Sequence, residues 1–135
     1  INSAVPTGGT NYQTFTAFAT ALNSQGVSGP VTVNVAPGSG PYNEQVTFTQ
    51  AMGVTSTNSV LVNGNNVILT FAGTFAQPWT LGLNGADFMT FNNLTVNGTD
   101  PNYAMVNHLW NDADNNKFDN CDFMVTNINN TSSYL

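Results

Sequence analysis

The chain has 135 residues, of which 41% are hydrophobic and only 6% are Asp, Glu, Lys or Arg, and its formal charge is −6. Lys117 is its one basic residue besides His108, so almost nothing can displace phosphate counterions; this excludes a nucleic-acid partner and disfavours anionic membranes. The length fits one domain, 1–135, kept in solution by Asn, Thr, Ser and Gly rather than by charge.

Residues 1–10, with Pro6, Gly8 and Gly9, read as an irregular lead-in. Phe15, Phe18, Ala19 and Leu22 then recur at helical spacing and predict a helix within 11–26, capped by Thr10 or Asn11 and ended by Gly26. From residue 31 onward the chain reads as short strands divided by Gly, Asn and Pro. They are Val31–Val35, Val46–Thr49, Val67–Phe71, Trp79–Leu83, Phe88–Phe91, Leu94–Val96, Ala104–Leu109 and Lys117–Val125. Asn and Gly tolerate positive φ, which suits the turns between them. No run of about 18 apolar residues occurs, so membrane insertion is not expected. No charged and apolar leader opens the chain, so a secreted form is expected to have lost its signal before Ile1.

Two internal echoes predict how the strands are arranged. Phe91-Asn92-Asn93-Leu94 returns about 27 residues later as Phe118-Asp119-Asn120-Cys121, a spacing typical of one coil of a β-solenoid. Stacked coils would put Phe91 under Phe118, Asn93 under Asn120 and Leu94 under Cys121, with the Asn amides forming a ladder. An apolar-Thr-aromatic triplet also recurs at Val46-Thr47-Phe48, Leu69-Thr70-Phe71 and Met89-Thr90-Phe91, its flanks pointing inward and its Thr outward. The irregular offsets leave open whether these triplets share one face of the coil.

From Asn11 onward the chain resembles the pectin-lyase-like superfamily of right-handed parallel β-helices, nearest to N-terminal pectinesterase-like modules of large secreted Bacteroidetes proteins. The likeness is carried by the helix Phe15–Leu22, the strand Val31–Val35, Pro37-Gly38, Tyr42-Asn43-Glu44 and Val46-Thr47-Phe48, and by the coil-like segments Leu83–Val96 and Asn115–Phe123. It implies an all-β, right-handed parallel β-helix of a few coils with a short N-terminal capping α-helix. It also implies an extracellular or cell-surface location. No counterpart to the helix closes the other end, where Asn127–Leu135 is short and polar. The expectation is therefore that further coils follow, or that another copy stacks there, even into a filament.

Catalytic chemistry is largely missing. The Arg that pectinesterases use has no counterpart, and Lys117 is the only base available for lyase-type proton abstraction. On a regular strand Asp119 and Asp122 would face opposite ways rather than flank a glycosidic bond. No organic cofactor is implied. Asp112, Asp114 and Asn116 place oxygens at alternate positions and form a calcium candidate, although no Gly or closing Glu makes an EF-hand; a plain Asn-rich turn is the other reading. His108 reads as an outward strand residue and Cys121 as a small core residue. Trp79, Trp110 and Tyr103 are candidates for stacking on sugar rings, with Tyr42 and Tyr134 as further aromatics.

Three functions stand as expectations. The first is a non-enzymatic structural or adhesive module that stacks on itself. The second is a polysaccharide-binding or carbohydrate-active domain. The third is an ice-binding protein, for which Thr47 and Thr49 offer one outward pair.

Overall fold

A computed structural model describes residues 1–127. Nearly all of its strands pair in parallel, and the chain winds into a β-solenoid of about 4 turns behind one short helix, as the internal echoes predict. In order, α1 is Phe15–Gln25, β1 Val31–Asn34, β2 Tyr42–Asn43, β3 Val46–Thr49, β4 Val60–Phe71, β5 Trp79–Asn84, β6 Met89–Gly98, β7 Met105–Trp110, β8 Lys117–Asp119 and β9 Asp122–Val125. One sheet runs β1-β4-β6-β8 with β2 and β9 joined at its side, and a second runs β3-β5-β7. Among the described residues no helix is long and apolar enough to cross a membrane.

Pairing between coils sets side chains in columns. Val31, Val60 and Met89 share one register position, and Val33, Val62, Phe91 and Phe118 share another. The Phe91 and Phe118 rings stack with centroids 5.4 Å apart and planes 12° apart, so they occupy one interior column. Phe48, from the second sheet, meets Phe91 across the core at 5.7 Å. Both Phe48 and Phe91 are fully buried. Cys121 sits beside this core, its Sγ–H reaching Phe91 O at 3.3 Å.

Asparagine builds the corners. Of the nine non-glycine residues with positive φ among the described residues, seven are Asn, among them Asn65, Asn66, Asn93 and Asn120. Only a short polar side chain visits this region cheaply apart from Gly. These residues bend one sheet into two facets, which is why β4 and β6 each continue through a corner where the sequence pattern shows separate strands. The expected strand Val67–Phe71 accordingly begins earlier, at Val60, with a register shift between Asn63 and Val67. The expected Asn ladder forms: Asn120 Nδ2–H donates to Asn93 Oδ1. A second ladder joins Asn63 Nδ2 to Asn34 Oδ1 at 2.8 Å and Asn92 Nδ2 to Asn63 Oδ1 at 3.4 Å.

The helix caps the first coil, but starts later than the expected 11–26. Thr14, rather than Thr10 or Asn11, is its N-cap, with Oγ1 accepting Ala17 N–H at 2.9 Å. Glu44, across the coil, accepts the N–H groups of Phe15 and Thr16 at 2.9 and 2.8 Å, a carboxylate placed at the positive end of the helix. Gly26 ends it at φ 69°, as expected. The apolar stripe Phe15, Phe18, Ala19 and Leu22 is buried on the coil. Beside that stripe Asn23 replaces a missing strand neighbour for β3, donating to Thr47 O at 3.3 Å and accepting Thr49 N–H at 3.1 Å. This satisfies an edge that would otherwise be open.

The triplets lie in different columns. Val46–Phe48 pairs with Leu81–Leu83 on the second sheet, Leu69 stacks on Tyr42 and under Val96, and Met89–Phe91 stacks on Val60–Val62. The alternation within each triplet reflects one buried sheet face, not one repeated position.

Phe91→Ala removes a ring that is packed on both sides within the column, and is expected to destabilise the fold by about 3–5 kcal/mol. Denaturant unfolding monitored by circular dichroism measures it.

Candidate functional site

The outer face of β3-β5-β7 carries the one dense group of exposed-side aromatics on this sheet. Two residues apart on β7, His108 and Trp110 project to the same side. Their rings stack with centroids 4.3 Å apart and planes 24° apart. Gly82 of β5 is in register with His108, and Asn84 with Trp110. Trp79 completes the group, its ring centroid 5.1 Å from both His108 and Trp110. All three rings are partly buried.

Trp79 reaches this face through a break in alternation. It has the parity of Leu81 and Leu83, which point into the core. Thr80 instead faces inward, 1% exposed, with Oγ1–H donating to Asn97 O at 3.3 Å. The Trp79 indole emerges outside, where Nε1–H donates to Thr47 Oγ1 at 3.2 Å. Its main-chain oxygen is held by Gln45 Nε2 at 2.7 Å.

Gly82 makes room for both indoles. A Cβ there would stand 2.8 Å from Trp79 Nε1 and 3.0 Å from both Thr47 Oγ1 and Trp110 Cη2. The strand glycine therefore marks a close approach of side chains, which is one of the standard reasons for glycine inside a strand.

Polar groups border the rings. Asn111 follows Trp110 at positive φ and donates Nδ2–H to Asn84 Oδ1 at 2.7 Å, placing a pair of amides at the end of the platform. His108 Nδ1 is buried with no hydrogen-bond partner among the described residues, so its imidazole is held by ring stacking rather than by a polar anchor. Flat aromatic faces with amides and hydroxyls beside them suit a ligand that is apolar on its faces and polar at its rim.

The sequence candidates are thus partly brought together. Trp79 and Trp110 meet. Tyr103 packs against Phe75 instead, with ring centroids 5.9 Å apart. Tyr42 is buried, with its hydroxyl 2.6 Å from Ser39 Oγ, and Tyr134 lies outside the described residues. His108 faces outward as expected, but its place against both indoles was not read from the sequence; the His-x-Trp spacing on a strand was the available signal.

In the calcium candidate, Asn116 turns towards the neighbouring coil: its Oδ1 accepts Met89 N–H at 3.0 Å and its Nδ2 donates to Ala86 O at 2.7 Å. Asp114 gives its N–H to Asp87 Oδ1 at 2.7 Å, while the side chains of Asp112 and Asp114 are on the exposed surface. Among the described residues no group of three or more His, Cys, Asp or Glu side chains is gathered to hold a metal ion. Asp119 and Asp122 are both exposed, because the left-handed turn at Asn120 breaks the regular strand on which they would alternate. Thr47 and Thr49 stand in register with Gly82 and Asn84, so this Thr pair does not repeat on the next coil. A groove lined by Ile1, Thr10, Tyr12, Phe18 and Val31 lies at the capped end and shares no residue with the aromatic group.

No protein-family model, curated protein or solved structure matches the chain, and the resemblance to pectinesterase-like modules rests on its sequence pattern alone.

Gly82→Val is expected to force the two indoles outward while the coil persists. Tryptophan emission should move to longer wavelength with the far-ultraviolet dichroism retained, at a stability loss of about 1–3 kcal/mol from overpacking.

Proposed function

We propose that this chain is an extracellular, non-enzymatic β-solenoid module of adhesive type, and that it holds polysaccharide on the outer face of β3-β5-β7. The observation that carries the reading is the placing of both tryptophans of the chain beside His108 over Gly82, next to the Asn84–Asn111 amide pair. A pyranose ring has apolar C–H faces and a hydroxyl rim, and this surface offers the complement of each. Supporting a binding rather than a catalytic role, the chain has no Arg, and its one Lys is engaged with Asp119 at 3.1 Å. A broad outer sheet face also suits a long polymer better than a closed pocket would.

A second reading, self-association, is favoured by one observation on the last described coil. Leu109, Phe123 and Met124 are 44%, 47% and 45% exposed there. Because α1 and Asn23 already cover the β3 edge of the first coil, contact between two copies through these three side chains is tail to tail and closes at two copies rather than growing. Sedimentation velocity over a range of concentrations should then show a discrete dimer; a monomer throughout, or open-ended growth, would count against it.

Affinity electrophoresis through gels containing soluble polysaccharides tests the glycan reading. The unmodified chain should be retarded by at least one of them, and Trp110→Ala should weaken that retardation by about tenfold or more, equivalent to about 1.4 kcal/mol. Retardation by none of a broad panel would remove the reading. Equal retardation of Trp110→Ala would move binding to another face.

A further inference from the structure

We propose that the aromatic face selects uncharged glycans and rejects polyuronates, a refinement that rests on the glycan-binding reading above. The argument is the distribution of charge around the platform. None of β3, β5 or β7 carries Lys or Arg. The only Lys, Lys117, lies on β8 of the other sheet, where it pairs with Asp119. No side chain of the platform can therefore form the charge-assisted, bidentate contact that recognises a carboxylate.

The margin of the platform is acidic. Past Trp110 the chain turns through Asn111 and Asp112, both at positive φ, and reaches Asp114. Asp87, on the neighbouring coil, accepts Asp114 N–H at 2.7 Å, so its carboxylate and the exposed acids Asp112 and Asp114 all belong to the turns that follow the platform strands. The chain as a whole is acidic, with a formal charge of −6 that includes these three residues. A glycan carrying a carboxylate on each ring meets repulsion along its whole bound length and finds no compensating cation. A neutral glycan loses nothing to that field and keeps its apolar contact with the Trp79 and Trp110 indoles. The amides of Asn84 and Asn111 donate and accept equally well, which matches hydroxyls.

Both tryptophans of the chain belong to the platform, so selectively excited tryptophan emission reports this site alone. The experiment titrates the whole chain at low salt and about pH 8, above the ordinary imidazole range. The probes are cello-, xylo-, manno- and galacto-oligosaccharides and, separately, oligogalacturonate with and without calcium chloride. At least one neutral probe should change the emission saturably, with oligogalacturonate weaker by about tenfold or more in both conditions. Asp112→Asn with Asp114→Asn should strengthen oligogalacturonate binding and leave the neutral probe unchanged; Asn tolerates the positive φ of position 112.

Oligogalacturonate binding within that factor of the neutral probe, with or without calcium, would overturn the charge selection and leave the glycan reading standing. An unchanged response of the double variant to oligogalacturonate would also overturn it, because charge would not be the cause. Silence towards every probe, together with no retardation in polysaccharide gels, would overturn both.

Discussion

Every feature of this molecule depends on one constraint: each coil must hydrogen-bond in parallel register to the coil before it. Met89 lies over Val60 and Val60 over Val31, while Phe118 lies over Phe91 and Phe91 over Val62. A one-residue slip would turn each of these apolar side chains to solvent and bring polar ones inside. Registry therefore couples backbone pairing to core packing, and neither can be lost alone.

The corners keep that registry. A sharp bend must recur at the same place on successive coils, and it costs little when Asn adopts the left-handed region. Asn93 and Asn120 do so one above the other, and their amides join coil to coil. The composition, rich in Asn and almost free of charge, follows from this: stacked Lys or Glu at such positions would place like charges at the coil spacing of about 4.7–4.9 Å. Coil lengths still vary where turns protrude. Leu81 follows its partner Val46 by 35 residues but precedes Asn107 by 26. Part of the difference lies in residues 50–59, which reach back to the end of the helix, where Val27 N–H bonds to Met52 O at 2.8 Å.

The aromatic platform arises from the same stacking. His108 is placed over Gly82 only because β7 pairs with β5 in that register, and Trp110 reaches Trp79 for the same reason. A second condition is the inward turn of Thr80, whose buried hydroxyl finds Asn97 O across the core and frees Trp79 to lie outside. The sheet thus carries partly exposed indoles on its outer face, and the exposed acids Asp112 and Asp114 follow Trp110 in the chain.

The solenoid itself was legible in the chain. Period-two alternation, Asn-Gly turns and the echo of Phe91–Leu94 at Phe118–Cys121 are local or repeated signals, and parallel coils are the arrangement that stacks like on like. Trp79, Trp110 and His108 could each be picked out as residue types, with His108 correctly turned outward. Their meeting could not, because it joins β5 to β7 through a register set by whole coils and through an alternation break at Thr80. Glu44 on the helix N-terminus and Asn23 on the β3 edge were hidden for the same reason, since each bond spans more than 20 residues. Sequence alone determined which segments bend and which face of each strand is apolar. Tertiary packing decided which side chains from different coils become neighbours, because that depends on loop lengths and on one threonine preferring a carbonyl in the core to water.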